Sequence, residues 1–219
     1  MVRHNGAVTR FLIVLDVDST LIEDEVIELI AEYAGVREQV AQVTERAMRG
    51  ELDFAQSLVE RVATLAGLPS TVLDEVRGQV RVTRGTAELI DGVHAAGGAV
   101  GVVSGGFHEV LDPLAERLDL DRWRANRLGS ADGRLTGLVD GPIIDSAAKA
   151  AALKEWAAEL GVPMSRTIAV GDGANDLGMM AAAGLGIAFD AKPAVRAAAD
   201  LSLPTRDLAA VLGVLGLRG

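Results

Sequence analysis

The first recognisable pattern in the chain is an uninterrupted apolar run, Phe11-Leu12-Ile13-Val14-Leu15. Such a run predicts a strand buried on both faces, as in a parallel sheet covered by helices. Comparable runs recur at Ala99–Val103, Thr167–Val170, Leu185–Phe189 and Leu201–Leu203. Helical stretches lie between them at Thr86–Ala96, Ser146–Leu160, Ala174–Ala183 and Ala194–Ala199. Short apolar strands alternating with helices read as βαβ units, so the expected fold class is α/β, a Rossmann-like doubly wound parallel sheet. Asp132-Gly133, between Arg127-Leu128 and Leu135-Thr136, predicts a β-hairpin turn.

One region breaks the alternation. From Leu21 to about Val80 no strand-like run occurs, and apolar residues recur at helical spacing: Val26, Ile27, Ile30 and Tyr33, then Val40, Val43 and Met48, then Phe54, Leu58, Val62 and Leu65. Pro69-Ser70 marks the start of a further helix. The expected organisation is a core of residues 1–20 and 82–219, with a small helical cap of residues 21–81 inserted after the first strand.

Composition narrows the function classes. The chain has 219 residues, 49% hydrophobic and 24% charged, which is ordinary for a packed protein and argues against disorder or a fibre. Absence of cysteine removes disulfides, thiolate metal sites and a cysteine nucleophile. With 21 basic and 31 acidic residues the net charge is −10, which disfavours nucleic-acid binding. An anionic substrate must therefore be held by local positive groups. Only Lys149, Lys154 and Lys192 are lysines. Met1–Arg10 does not read as a signal peptide, and no apolar run approaches the ~20 residues of a membrane span. The expectation is a soluble cytoplasmic protein, monomer or homodimer, with no membrane partner. About ten residues precede the first strand, so no regulatory domain is expected ahead of it.

The polar residues point to chemistry by where they fall. In an open parallel sheet, ligands bind beyond the carboxyl ends of the strands. The first strand ends in Asp16-Val17-Asp18-Ser19-Thr20, the second in Ser104-Gly105-Gly106, and the third in Gly171-Asp172-Gly173-Ala174-Asn175-Asp176. Helix capping accounts for one such cluster but poorly for three at one edge. Converging carboxylates call for a cation, and all-oxygen ligands select a hard ion such as Mg²⁺, which suits phosphate substrates. Ser104 with the Gly105 and Gly106 amides is expected to open a helix and cradle an anion, and Lys149 could add a charge to the same anion. No P-loop is present, Gly171-Asp172-Gly173 lacks a third glycine in register, and Ser104 lacks the glycine at position 102 of a nucleophile elbow. His4, His94 and His108 are scattered and read as structural or solvated.

Asp16-Val17-Asp18-Ser19-Thr20, Ser104-Gly105-Gly106, Lys149 and Gly171-Asp172-Gly173-Ala174-Asn175-Asp176 resemble the four motifs of the haloacid dehalogenase superfamily. Met48-Arg49-Gly50-Glu51-Leu52-Asp53-Phe54, Arg61, Val103–Phe107 and Ala125-Asn126-Arg127-Leu128 narrow the resemblance to its phosphoserine phosphatases, from about Phe11 to Leu212. The resemblance implies Mg²⁺-dependent hydrolysis of the small molecule O-phospho-L-serine, the last step of serine biosynthesis. It makes Asp16 the nucleophile that forms an aspartyl-phosphate and Asp18 the general acid and base. Mg²⁺ would be held by the Asp16 carboxylate, the Asp18 backbone carbonyl and the Asp172 carboxylate, with Asp176 and Asn175 supporting. Ser104, Gly105 and Lys149 would bind phosphate. Glu25 would meet the substrate ammonium, Arg61 its carboxylate, and Met48 and Phe54 would close an apolar lid. Arg84-Gly85 stands where the family often has Pro-Gly, away from the proposed phosphate groups. Two other readings stay in view: a phosphatase or phosphotransferase for another small phosphate such as phosphohomoserine, and a phosphoacceptor signalling module, which needs neither Asp18 nor an inserted cap.

Overall fold

In the computed structural model, which describes residues 8–49 and 51–217, the first apolar run forms strand β1, Leu12–Leu15, with every residue fully buried. It is the middle strand of a seven-stranded sheet ordered β4-β3-β2-β1-β5-β6-β7. The others are β2 (Ala99–Phe107), β3 (Arg122–Ala131), β4 (Arg134–Asp140), β5 (Thr167–Gly171), β6 (Leu185–Phe189) and β7 (Leu201–Leu203). All neighbours pair parallel except β3 with β4, the hairpin turning at Asp132-Gly133. The winding reverses beside β1: β2 and β3 lie on one side, β5, β6 and β7 on the other. That reversal opens a crevice at the carboxyl ends of β1 and β5.

Alternation along β1 builds two cores. Ile13 and Leu15 face one apolar layer, which includes helices α5 (Thr86–Ala95) and α6 (His108–Arg117), while Leu12 and Val14 face α7 (Ser146–Glu159) and α8 (Leu177–Ala182). Trp156 of α7 lies so close over β2 that a Cβ on Gly101 would stand 3.0 Å from its ring. This is close packing between layers, not a loose oil.

Two sequence expectations need correction. Strand β2 continues through Phe107 and α6 begins at His108, so Ser104, Gly105 and Gly106 lie on extended chain and do not open a helix. The hairpin expectation also missed Arg122–Asn126, which extends β3 alongside β2. This half of β3 is partly exposed and carries its charges outward, Arg124 pairing with Glu155 at 2.8 Å and Arg122 with Glu159 at 3.3 Å, so it shows no apolar run.

The helical insert comprises α1 (Val26–Ala34), α2 (Arg37–Met48), α3 (Phe54–Ala63) and α4 (Val72–Gln79). The chain leaves and re-enters the sheet region side by side. Ile22 bridges Val82, the Glu23 amide donates to Arg81 O at 2.9 Å, and the Thr83 amide donates to Leu21 O at 2.9 Å. Asp24 locks the crossing by accepting from the Arg81 amide at 2.8 Å and its guanidinium at 2.7 Å. A second tie joins the far end of the insert to the hairpin. Gly67 N donates to Leu135 O, Leu135 N to Leu68 O, both at 2.8 Å, and Ser70 N to Gly133 O at 2.9 Å.

His94 of α5 and Asp121 illustrate how the layers are fastened. Asp121 lies 2.9 Å from His94 Nε2 and also accepts from the Val100 amide at 2.8 Å. Its hydrogen bond raises the His94 pKa against the opposing effect of burial. A histidine whose folded pKa is raised contributes stability that is full below ~6.5, its unfolded value, and fades as pH rises through the folded value. Urea unfolding of His94→Gln is therefore expected to show a loss of roughly 1 kcal/mol at pH 5.5 and much less at pH 9.

Candidate active site

The site starts where β1 ends. The Asp16 amide donates to Val170 O at 2.9 Å, so β1 and β5 end level and bring Asp16 beside the Gly171–Asp172 corner. The chain then makes one wide turn over Val17–Leu21, closed by the Ile22 amide donating to Val17 O at 3.0 Å. Ser19 takes the left-handed conformation, φ +57°, that side chains usually avoid. Its hydroxyl donates to Glu25 Oε1 at 2.7 Å, and the turn delivers the Asp18 carboxylate to the Val26 amide at 2.9 Å and the Ser104 hydroxyl at 3.2 Å. Asp18 thus does cap α1, the modest role that sequence allowed, and also faces the cavity.

Carboxylate oxygens of Asp16, Asp172 and Asp176 lie within 4.8 Å of one another, spacing suited to a metal ion. Between two of them sits Lys149 in the first turn of α7, fully buried. Its ammonium donates to Asp16 Oδ1 at 2.6 Å and Asp176 Oδ1 at 2.7 Å. Asp176 is further held by the Gly173 amide at 3.0 Å, and Asp172 by the Thr20 hydroxyl at 3.3 Å. Gly171 permits this closeness, since a Cβ there would stand 2.4 Å from Asp176 Oδ2.

Four carboxylates against one lysine leave the site short of positive charge. Burial, then repulsion from Asp176 and Asp18, pushes Asp16 well above the usual carboxylate range despite Lys149. Burial, Asp176 and Glu25 push Asp172 up to about 6. Burial and the Glu25 charge push Asp18 up to about 7, against the Val26 amide, Lys149 and Ser104. Burial disfavours charge on Lys149, but Asp16 and Asp176 outweigh it and raise its pKa. An all-oxygen donor set carrying excess negative charge fits a hard divalent cation.

Above this floor is a cavity of about 530 Å³. Of the residues expected from sequence, Asp16, Asp18, Glu25, Phe54, Arg61, Gly105, Asp172 and Asn175 line it. Ser104, Lys149 and Asp176 are buried. The Met48 side chain and Gly50 lie outside the described residues, as does His4. Phe54 is placed by a capping box at the start of α3, where the Gln56 amide donates to Asp53 Oδ1 at 2.8 Å and the Asp53 amide to Gln56 Oε1 at 3.0 Å. Its ring lies directly over Gly105, where a Cβ would come within 2.8 Å. Arg61 Nε donates to Ser57 O at 3.2 Å. Burial lowers the Arg61 pKa, with the Glu25, Asp18 and Glu28 carboxylates opposing.

Sequence reasoning assigned no role to Thr20, Asn126, Ile27, Leu58 or Lys192. Ile27, Leu58 and Lys192 line the cavity. Buried Asn126 donates to Gly105 O and accepts from the Ile144 amide, both at 2.8 Å, so it fixes the Gly105 peptide. Thr20 and Asn126 stood inside the motifs already noted. Ile27 and Leu58 looked like ordinary core positions, and nothing in the spacing around Lys192 marked it out. The other two histidines are structural: His94 as described, and His108 with Nδ1 2.6 Å from Asp112 while Nε2 accepts from the Ala125 amide at 3.1 Å.

A doubly wound sheet with aspartates at its central switch point, a buried lysine among them and a helical insert over the crevice defines a haloacid dehalogenase-like hydrolase. The chain belongs to that family, whose model matches residues 13–181. Its relatives include a phosphoserine phosphatase of Streptomyces coelicolor, 57% identical over 94% of this chain and 50% of that protein. The chain thus spans about half the length of that relative. A phosphoserine phosphatase of Streptococcus thermophilus is 53% identical over 93% of this chain and 95% of its own. A solved structure described as a phospho-aspartyl intermediate analogue of phosphoserine phosphatase superposes with a TM-score of 0.88 at 42% identity, covering 94% of this chain and 99% of that one.

The lysine-carboxylate arrangement predicts strong coupling. Lys149→Met leaves two buried carboxylates unpaired and is expected to lose ~3–5 kcal/mol, as for a broken buried ion pair. Adding Asp176→Asn to it should recover part of that loss, and chemical denaturation of both single variants and the double variant measures the coupling directly.

Proposed function

We propose that this protein is a phosphoserine phosphatase that hydrolyses O-phospho-L-serine to L-serine and phosphate. The observation that carries the reading is one cavity lined by Asp16 and Asp18 and, from the helical insert, by the anionic Glu25 and the cationic Arg61. Those two charges complement the ammonium and carboxylate of zwitterionic serine. The likeness to the phosphoserine phosphatases reported above supports the same substrate.

The reaction follows from the residues. An Asp16 oxygen attacks phosphorus, the bond from phosphorus to the serine oxygen breaks, and the Asp18 proton passes to that oxygen. Water then attacks phosphorus of the aspartyl-phosphate, Asp18 takes its proton, and the bond to Asp16 breaks to release phosphate. A carboxyl pushed up to about 7 suits both halves of this exchange near neutral pH. Mg²⁺, held by the Asp16 and Asp172 carboxylates and the Asp18 backbone carbonyl with Asp176 and Asn175 behind, would neutralise the phosphoryl oxygens and the carboxylates at once. Lys149 favours the ionised form of Asp16 against burial and the neighbouring carboxylates, aims it, and with Ser104 and Gly105 would border the phosphoryl position. Residues 21–81 act as the cap over a core of residues 1–20 and 82–219, with Phe54 excluding water as it closes. Among the described residues no helix is long and apolar enough to cross a membrane. We place the enzyme in the cytoplasm, at the last step of serine biosynthesis, as a monomer or homodimer.

Phosphate release from L-phosphoserine, phosphothreonine, phosphohomoserine and p-nitrophenyl phosphate, with Mg²⁺ and with EDTA, tests the reading. Rapid Mg²⁺-dependent release favouring phosphoserine is expected, and release from another compound alone would overturn the cap assignment. Asp18→Asn should lower turnover by ~10²–10⁴-fold, the usual contribution of general acid–base catalysis. Arg61→Ala should raise KM for phosphoserine by at least tenfold and leave KM for p-nitrophenyl phosphate nearly unchanged, and equal effects on both would remove Arg61 from the serine carboxylate.

A further inference from the structure

We propose that Lys192 captures the phosphoryl dianion at the rim of the cavity, setting how readily phosphate esters enter and how tightly product phosphate is retained. For the ester, this rests on the phosphatase reading; for inorganic phosphate, it rests on the cavity alone.

Charge distribution makes the case. Asp16, Asp18, Glu25 and Asp172 all line the cavity, so an entering dianion meets a negative field in a chain whose net charge is −10. Among the lining residues only Arg61 and Lys192 are cationic. Arg61 faces Glu25 and Asp18. Lys149, beneath, is engaged by Asp16 and Asp176. Of these three cations only Lys192 is exposed to solvent, and among the described residues no carboxylate pairs with it.

The loop that carries Lys192 keeps it uncommitted. Strand β6 ends at Phe189, and Asp190 turns the chain with φ +42°. Asp190 is the acidic group nearest in sequence, and it is taken by Arg206, whose Nε donates to it at 2.6 Å. Ala191 is buried and anchors the loop, while Pro193, the first residue of helix α9 (Pro193–Ala198), fixes the backbone just beyond Lys192. Lys192 is therefore held at the rim by its backbone with its ammonium unpaired. A cation there raises the local concentration of a dianion against the overall field, an effect of ~10–10³-fold on association in focused clefts.

Three variants test this. Lys192→Met removes the charge, Lys192→Arg keeps it, and Lys154→Met removes an equal charge from an exposed face of α7 outside the cavity. Affinity for inorganic phosphate, measured calorimetrically on the Mg²⁺-loaded protein, is expected to fall about tenfold in Lys192→Met and to hold in Lys192→Arg and Lys154→Met. For phosphoserine, kcat/KM of Lys192→Met should fall about tenfold at low ionic strength, with the gap shrinking at about 1 M salt, where screening acts within ~3 Å. Unchanged phosphate affinity in Lys192→Met, or equal losses in Lys154→Met, would overturn the proposal. Wild-type protein that binds phosphate through Lys192 yet does not hydrolyse phosphoserine would leave this inference standing and remove the substrate assignment alone.

Discussion

The contact on which the rest of the site depends is the buried ammonium of Lys149 between Asp16 and Asp176. Removing three charged groups from water is costly, and the cost is offset only when their geometry is close and their remaining hydrogen-bonding capacity is met. Here α7 supplies the cation from its first turn, β1 and the turn after β5 supply the anions, and the Gly173 amide completes the second carboxylate. Three elements far apart in sequence are thereby fixed at one point. The price is excess negative charge at the floor, visible in the raised pKa values of Asp16, Asp18 and Asp172. That same excess suits the floor to a divalent cation and a phosphoryl group in place of an apolar ligand.

Much of this was legible in the sequence for a physical reason. A strand buried on both faces must be continuously apolar, so β1, β5, β6 and the first half of β2 announce themselves, and the residues after them must lie at the sheet edge. Asp16, Asp18, Asp172 and Asp176 were found that way, and Lys149 as one of only three lysines, near the start of the helix that precedes β5. What escaped had no such signature. The first half of β3 pairs with β2 yet keeps Arg122 and Arg124 at the surface. Ser104 to Gly106 continue a strand where glycines suggested that it had stopped, because small residues there serve close approach: Phe54 lies against Gly105 and Asp18 against Gly106. Asn126 works through a carbonyl on another strand, a contact that local pattern does not encode.

The division of labour between sheet and insert is also a matter of rigidity. The floor is built from strand ends, where positions are over-determined by register, and its side chains are held by short hydrogen bonds. The insert contributes Glu25 from the N-cap of α1, and Phe54 and Arg61 from α3, helices whose outer faces are exposed. Accurate placement is thus concentrated where bonds to phosphorus are proposed to change, and adaptability where the rest of the substrate is recognised.

The two ties of the insert have a consequence for recombination. Because the chain exits at Ile22 and returns at Val82 beside it, segments of other lengths could be grafted at that junction, provided they cover the apolar layer that Val26, Ile30 and Leu58 share with Ile13 and Leu15. The tie at Gly67–Ser70 is different, for it occupies the outer edge of β4 around Gly133–Leu135. A graft lacking an equivalent of that stretch would expose backbone donors and acceptors on an edge strand, the arrangement that invites pairing with another chain. The unit that can be exchanged without inviting aggregation is therefore the insert together with its hairpin.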